Sequence, residues 1–120
     1  MKMKINLTQH LASAEQISTG VFEPADKSRV QALLTFDELP SKELILARAE
    51  SLAEIAASEK AEAAMIGGAP YLMSALESAL IRRGVMPLYA FSKRESVDEP
   101  QADGSSKKVA VFRHAGWVMV

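Results

Sequence analysis

The segment AAMIGGAPYLMSALESALIRRG, residues 63–84, decides the fold. It opens on a short apolar run, which is typical of a buried strand in a parallel sheet. A turn with two glycines follows, Pro70 suits the first position of a helix, and Gly84 suits its end. The next apolar run, VMPLYAFS at residues 85–92, predicts a second strand. Strand, helix and strand of these lengths predict a parallel crossover between neighbouring strands.

The chain before this segment predicts one more strand and several helices. Met3, Ile5 and Leu7 alternate with polar residues, which favours a strand. A helix is expected to begin at Ser13, because Gln16 three residues later completes a capping box, and to stop at Gly20. The stretch VFEP, residues 21–24, is expected to be a short extended piece.

Residues 26–36 are compatible with two structures. Asp26 is a suitable cap for a helix that buries Val30, Leu33 and Leu34, yet ALLTF also suits a buried strand, and we favour the helix. A longer helix is expected from the cap at Ser41 to about Ser58, where apolar residues recur at helical spacing.

The C-terminal third predicts an antiparallel hairpin. Its turn is expected at Asp103 and Gly104, and its arms over residues 88–97 and 108–118. The last arm is expected either at an edge of the sheet or paired with a second subunit. The whole chain, residues 1–120, is therefore predicted to be a single α/β Rossmann-like three-layer domain, with a mainly parallel sheet and this hairpin at its end.

Composition restricts the classes of function. The 120 residues carry a formal net charge of -1, which gives no general attraction to long nucleic acid or to an anionic membrane. The absence of cysteine excludes disulfides and thiol chemistry and fits the cytoplasm. No apolar run approaches the roughly 20 residues that would span a bilayer, so no membrane association is expected.

Polar residues follow the predicted strands at three places. In a parallel sheet, ligands bind beyond the carboxyl ends of the strands, so these groups are expected to converge. They are Thr8, Gln9 and His10; Gly67, Gly68 and Ala69; and Ser92, Lys93 and Arg94.

The glycine turn has two interpretations. Without side chains at Gly67 and Gly68 a ligand can approach the backbone, and the free amides of the following helix favour an anion. Equally, the glycines can serve only a tight turn and close helix packing, because the motif is neither GxGxxG nor a phosphate loop. Tyr71 is either a platform for a base or a half-buried anchor.

The two histidines and the basic residues of the hairpin are further candidate site residues. His10 is either an acid or base near pH 7 or a surface histidine, and the role of His114 is undetermined. The spacing of the two histidines does not predict a metal site, and no cofactor is expected. The hairpin gathers basic residues that either bind phosphate or protect an exposed edge: Lys93, Arg94, Lys107, Lys108 and Arg113.

Two segments resemble a known family. Residues 4–16 contain a strand, a Thr-x-His element and a LASAEQ helix start, and residues 65–80 contain the unit of strand, GGAP and helix. Both are similar to the small Rossmann-like CRISPR-associated (CARF-like) ring nucleases and accessory proteins of type III systems. The resemblance implies an antiviral defence role and a homodimer that binds a cyclic oligoadenylate across its twofold axis. It implies cleavage without metal, in which each 2′-hydroxyl attacks the adjacent phosphate.

The resemblance also implies roles for the site residues. Thr8, Gln9 and His10 would lie near the ligand, residues 67–71 would cradle a phosphate, and Ser92, Lys93 and Arg94 would neutralise charge in the transition state. Two other functions fit the sequence: a non-catalytic dimeric interaction module and an enzyme for a small phosphorylated metabolite.

Overall fold

The structure is a computed structural model that describes residues 2–120. Within these residues, five strands and four helices follow one another. They are β1 (Lys4–Leu7), α1 (Ala14–Ser18), β2 (Val21–Phe22), α2 (Lys27–Leu34), α3 (Lys42–Ser58), β3 (Ala63–Ile66), α4 (Pro70–Arg82), β4 (Met86–Pro100) and β5 (Ser106–Met119).

The five strands form one sheet in the order β2-β1-β3-β4-β5. The first four strands are parallel, and β5 is antiparallel to β4 at the edge of the sheet. The predicted α/β class, the mainly parallel sheet and the C-terminal hairpin are therefore confirmed. The parallel crossover expected from residues 63–92 is present, because β3 and β4 are sheet neighbours joined by α4.

Local signals explain where the helices begin. Ser13 and Gln16 make both hydrogen bonds of the predicted capping box, and Ser41 accepts a hydrogen bond from the backbone of Leu44 at the start of α3. Asp26 caps α2, which settles the ambiguity of residues 26–36 in favour of the helix. The predicted extended piece at residues 21–24 contributes β2 to the sheet.

The hydrophobic core lies between one face of the sheet and the three longer helices. Ile5, Leu7, Ala64 and Ile66 project from β1 and β3 into it. The helices supply Val30 and Leu34, then Ala49, Leu52, Ala53 and Ala56, and then Leu72, Met73, Leu76, Ala79 and Leu80. By strand alternation, Lys4 and Asn6 point to the opposite face, and both are buried although they are polar.

The hairpin is longer than predicted. Its arms extend to Pro100 and back from Ser106, rather than ending at residues 97 and 108, and a short turn joins them through the bond from Gln101 N to Ser105 O. Pairing of Val97 with Val109 is as expected, and an irregularity interrupts the pairing at Phe91 and Ser92. Beyond it the two strands leave the sheet as a two-stranded extension, residues 91–115, which we call the ribbon.

Candidate functional site

Two of the three predicted polar elements lie side by side. β1 and β3 are parallel neighbours, with Leu7 opposite Ile66, so the loops that follow them leave the same edge of the sheet. A Cβ atom built on Gly67 would lie 3.6 Å from Cγ2 of Thr8. We call residues 8–10 and 67–71 together the strand-end loops.

The loop of residues 8–10 is held in place by the side chain of Asn6, which is fully buried. Its Oδ1 accepts hydrogen bonds from the Thr8 backbone at 3.0 Å and the Thr8 hydroxyl at 2.6 Å. Its Nδ2 donates to the His10 carbonyl at 2.8 Å and to the Glu23 carboxylate. One side chain therefore determines the backbone path from β1 through His10.

Glu23 and Lys27 complete this support, and sequence reasoning missed both. The Glu23 carboxylate accepts from the Ala12 backbone at 2.8 Å and pairs with Lys27 Nζ at 3.2 Å. Burial alone would raise the pKa of Glu23, but the hydrogen bonds from Ala12 and Asn6 and the pairing with Lys27 outweigh it and hold this pKa below its usual value. Glu23 is therefore ionised at neutral pH. Glu23 precedes α2, so the four-residue spacing to Lys27 is not the helical spacing that signals an ion pair in a sequence.

Gln9 is used internally, whereas the His10 ring is exposed. Gln9 Nε2 donates to the Thr35 hydroxyl at 2.8 Å, and the Gln9 carbonyl accepts from Gln31 at 2.9 Å, which ties the loop to α2. Lys27 donates to the His10 carbonyl at 3.1 Å. Within residues 2–120 no hydrogen bond or ion pair engages the His10 imidazole, so its nitrogens face solvent beside a fixed backbone.

The second loop leads into the uncapped N-terminus of α4. Gly68 has a φ of +153°, a conformation that side chains rarely adopt, and its position lies near Met73 and Leu34. Ala69 occupies the N-cap and makes no side-chain hydrogen bond to the helix. Pro70 has no amide hydrogen, and the amides of Leu72 and Met73 donate to the Ala69 carbonyl at 2.9 and 3.3 Å, which leaves the Tyr71 amide of the first turn to solvent or a ligand.

Tyr71 stands in the first turn of α4 and is half-exposed. Its ring lies 5.3 Å from that of Phe36, at 60° to it. It also borders a groove between α3 and α4 with a volume of about 510 Å³. The other residues of the groove include Ser74, Ser78 and the ion pair of Glu50 with Arg82. Arg83 also pairs with Glu50, at 2.8 Å, so these two arginines join α4 to α3.

The third predicted element lies on the ribbon. Ser92, Lys93 and Arg94 are exposed in β4, and strand alternation sends Lys93 and Arg94 to opposite faces. Within the described residues no hydrogen bond or ion pair joins any of the three to the strand-end loops. The structure therefore brings together the first two predicted elements and leaves the third on a separate projection.

His114 lies near the base of the ribbon. Its ring centroid is 4.7 Å from that of Trp117, and Lys4 Nζ lies 5.6 Å from the Trp117 ring. Its Nδ1 is buried without a hydrogen-bond partner in residues 2–120. Across the same part of the chain no three His, Asp or Glu side chains form a metal-binding group, and no helix has the length and apolarity to cross a membrane.

Comparisons with known proteins place the chain in a family without adding an activity. Neither the comparison with curated proteins nor that with solved structures gave a match. One family model covers nearly the entire chain, from residue 2 to residue 118. On that match, the chain belongs to the family described as Uncharacterized protein MJ1673 family.

Proposed function

We propose that the chain binds a phosphate-bearing nucleotide at the strand-end loops, and that a cyclic oligoadenylate is the ligand to test first. The observation that carries the proposal is the close approach of the two strand-end loops, where a Cβ atom built on Gly67 would lie 3.6 Å from Cγ2 of Thr8, beside the uncapped start of α4. The open Tyr71 amide and the helix dipole both favour an anion at such a position. The two glycines leave the backbone open to an approaching phosphate.

The surroundings of the loops suit a nucleotide better than a bare anion. Tyr71 presents a half-exposed ring one residue after Pro70, and aromatic rings stack on bases. Lys27 already contacts the carbonyls of Thr8 and His10 and the Glu23 carboxylate, so it holds the loop and leaves phosphate recognition to the amides.

Cleavage would need little from the protein if the ligand supplies its own 2′-hydroxyl nucleophile. Alignment of that hydroxyl with the adjacent phosphate would provide most of the acceleration. We propose that the exposed His10 imidazole transfers the proton. No metal or cofactor takes part in this scheme.

Gly67→Asp tests the binding proposal. A carboxylate there would repel a phosphate at the start of α4, while a negative charge near a helix N-terminus does not destabilise the helix. We expect at least a tenfold weaker affinity, about 1.4 kcal/mol, for a cyclic oligoadenylate in calorimetric titration, with an unchanged melting temperature. Ser78→Asp, later on the same helix, adds the same charge and is expected to bind normally.

Two results would contradict the proposal: no binding of cyclic oligoadenylates by the unmodified protein, or equal binding by Gly67→Asp. Binding of mononucleotides or sugar phosphates instead, measured in a parallel panel, would indicate an enzyme for a small phosphorylated metabolite that uses the same N-terminus of α4.

His10→Ala tests the role of His10 in catalysis. This variant is expected to retain binding and to lose ring cleavage. Unchanged cleavage would mean that His10 is a surface histidine without a role in the reaction.

A non-catalytic interaction module is the second candidate. It is favoured by the exposure of the last apolar side chains at the sheet edge, where Met119 is 69% exposed and Val118 and Val120 are about half exposed. Failure of every phosphorylated ligand in the panel would favour it. We place either function in the cytoplasm, and a role in type III CRISPR antiviral defence belongs to the first.

A further inference from the structure

The ribbon lacks the support that the rest of the sheet has. β3 pairs with β4 only at Met86, Pro87 and Leu88, and within residues 2–120 no strand covers the same edge of β4 from Ser92 to Pro100. Of those nine residues only Val97 is partly shielded from solvent. A two-stranded hairpin is marginally stable in water, and a third strand or a packed face is normally needed.

Charges along this edge are arranged symmetrically about Ser96. Lys93 and Arg94 precede it by three and two residues, and Asp98 and Glu99 follow it by two and three. If two copies of the strand lie antiparallel with Ser96 opposite Ser96, each Lys93 faces the partner's Glu99. Each Arg94 likewise faces the partner's Asp98, which gives four pairs of opposite charge.

We infer that the chain forms a homodimer in which the free edges of β4 pair antiparallel about Ser96. The two ribbons then form one four-stranded antiparallel sheet, with β4 strands in the middle and β5 strands outside. The proposal goes beyond the proposed function and does not depend on it, because the dimer needs no ligand.

The isolated chain contains a repulsion that this pairing relieves. Lys93 lies directly opposite Arg113 in the β4–β5 ladder, and like charges at such positions are destabilising. Arg113 is compensated by Glu95, at 3.1 Å, whereas no ion pair engages Lys93 within residues 2–120. In the dimer the partner's Glu99 is placed beside Lys93.

Other pairings fit the charges less well. Moving the twofold axis to Glu95 sets Glu95 opposite the partner's Glu95, and moving it to Val97 sets Glu95 opposite the partner's Glu99. Pairing through β5 brings cations together, because residues 106–120 contain Lys107, Lys108 and Arg113 and no acidic residue. Lysine on an edge strand is a common protection against such pairing. The charges therefore favour the β4 edge and the register about Ser96.

The geometry leaves room for two copies. β3 uses the β4 edge up to Leu88 and the partner would use it from Ser92, so the two neighbours do not overlap. At about 3.3 Å per residue, Ser96 lies about 26 Å along the strand from Leu88. The Leu88 residues of the two copies, and with them the helix-covered parts of the two sheets, therefore lie about 50 Å apart at opposite ends of the shared sheet.

A charge-exchange experiment tests the register. One chain carries Lys93→Glu and Arg94→Glu, and a second carries Asp98→Lys and Glu99→Lys. We expect the unmodified protein to sediment as a dimer at micromolar concentration. Each variant alone is expected to dimerise at least about 100-fold more weakly, because four attractive cross-strand pairs become repulsive. Mixed in equal amounts, the variants are expected to form a heterodimer, visible as an intermediate mass in native mass spectrometry.

Three results would overturn the inference. They are a monomeric unmodified protein at high micromolar concentration, variants that dimerise alone as well as the unmodified chain, and variants that are monomeric both alone and mixed. Far-UV circular dichroism and thermal melting check that each variant is folded, because Asp98→Lys and Glu99→Lys also place like charges opposite Lys108 and Lys107 in the chain's own β4–β5 ladder. The measurements use no nucleotide, so failure of the ligand-binding proposal leaves them unaffected.

Discussion

The loop of residues 8–10 and the ribbon both consist of polar residues that follow strands of the same sheet, but they are held in opposite ways. The loop is fixed by the buried Asn6 side chain, by Glu23 and by Lys27. The ribbon is held by the ladder between its two strands and by one cross-strand ion pair, Glu95 with Arg113. A rigid loop is suited to binding a small ligand, whereas an unsupported strand edge is suited to pairing with another chain.

Asn6→Ala is expected to have the largest effect. It removes hydrogen bonds to Thr8, His10 and Glu23 at a fully buried position and leaves their partners unsatisfied. We expect a loss of about 3 kcal/mol in the free energy of unfolding, measured by urea denaturation. Ser92→Ala, at an exposed ribbon position, serves as the control and is expected to change little. A loss below about 1 kcal/mol for Asn6→Ala would mean that the loop is not held by this side chain.

Acid is expected to loosen the same loop, by a smaller amount. The pKa of Glu23 is lower in the folded protein than its ordinary value of 4.5, so its ionised form stabilises the fold. That stabilisation is complete above the pKa of the unfolded chain and is lost as the pH falls through the lower folded value. Glu23→Gln should therefore flatten the decline in unfolding free energy below about pH 4.5.

The control for this pH dependence is Glu54→Gln, which removes the same charge from an exposed position on α3. It is expected to retain the acid-dependent loss of the unmodified protein. If Glu23→Gln shows the same pH profile as Glu54→Gln, the contacts of Glu23 do not contribute to stability.

The sequence predicted the parts of the fold that depend on neighbouring residues. Ser13 with Gln16, Asp26 and Ser41 are local helix signals, and Gly68 has the conformation that a tight turn requires. The adjacency of β3 and β4 followed from the limited geometry of a parallel crossover.

The support of the first loop was not predictable in the same way. Asn6 lies in β1, Glu23 follows β2 and Lys27 begins α2, and their contacts require the pairing of β2 with β1. The length of the ribbon was also missed. Both of its faces are largely exposed, so KRESVDEP has no alternation of apolar and polar residues to indicate a strand. A strand without a buried face leaves little signal in its own sequence.

The smallest effect is expected on the ribbon, at Phe112. This side chain is 71% exposed and lies opposite Arg94 in the ladder, so Phe112→Ser removes little buried surface. We expect the free energy of unfolding, measured at low protein concentration, to change by no more than about 0.5 kcal/mol. Leu76→Ala, at a fully buried position of α4, should instead cost about 2–5 kcal/mol. A loss above about 1 kcal/mol for Phe112→Ser would show that this face of the ribbon packs against the rest of the chain, and the contrast between a supported loop and an unsupported ribbon would no longer hold.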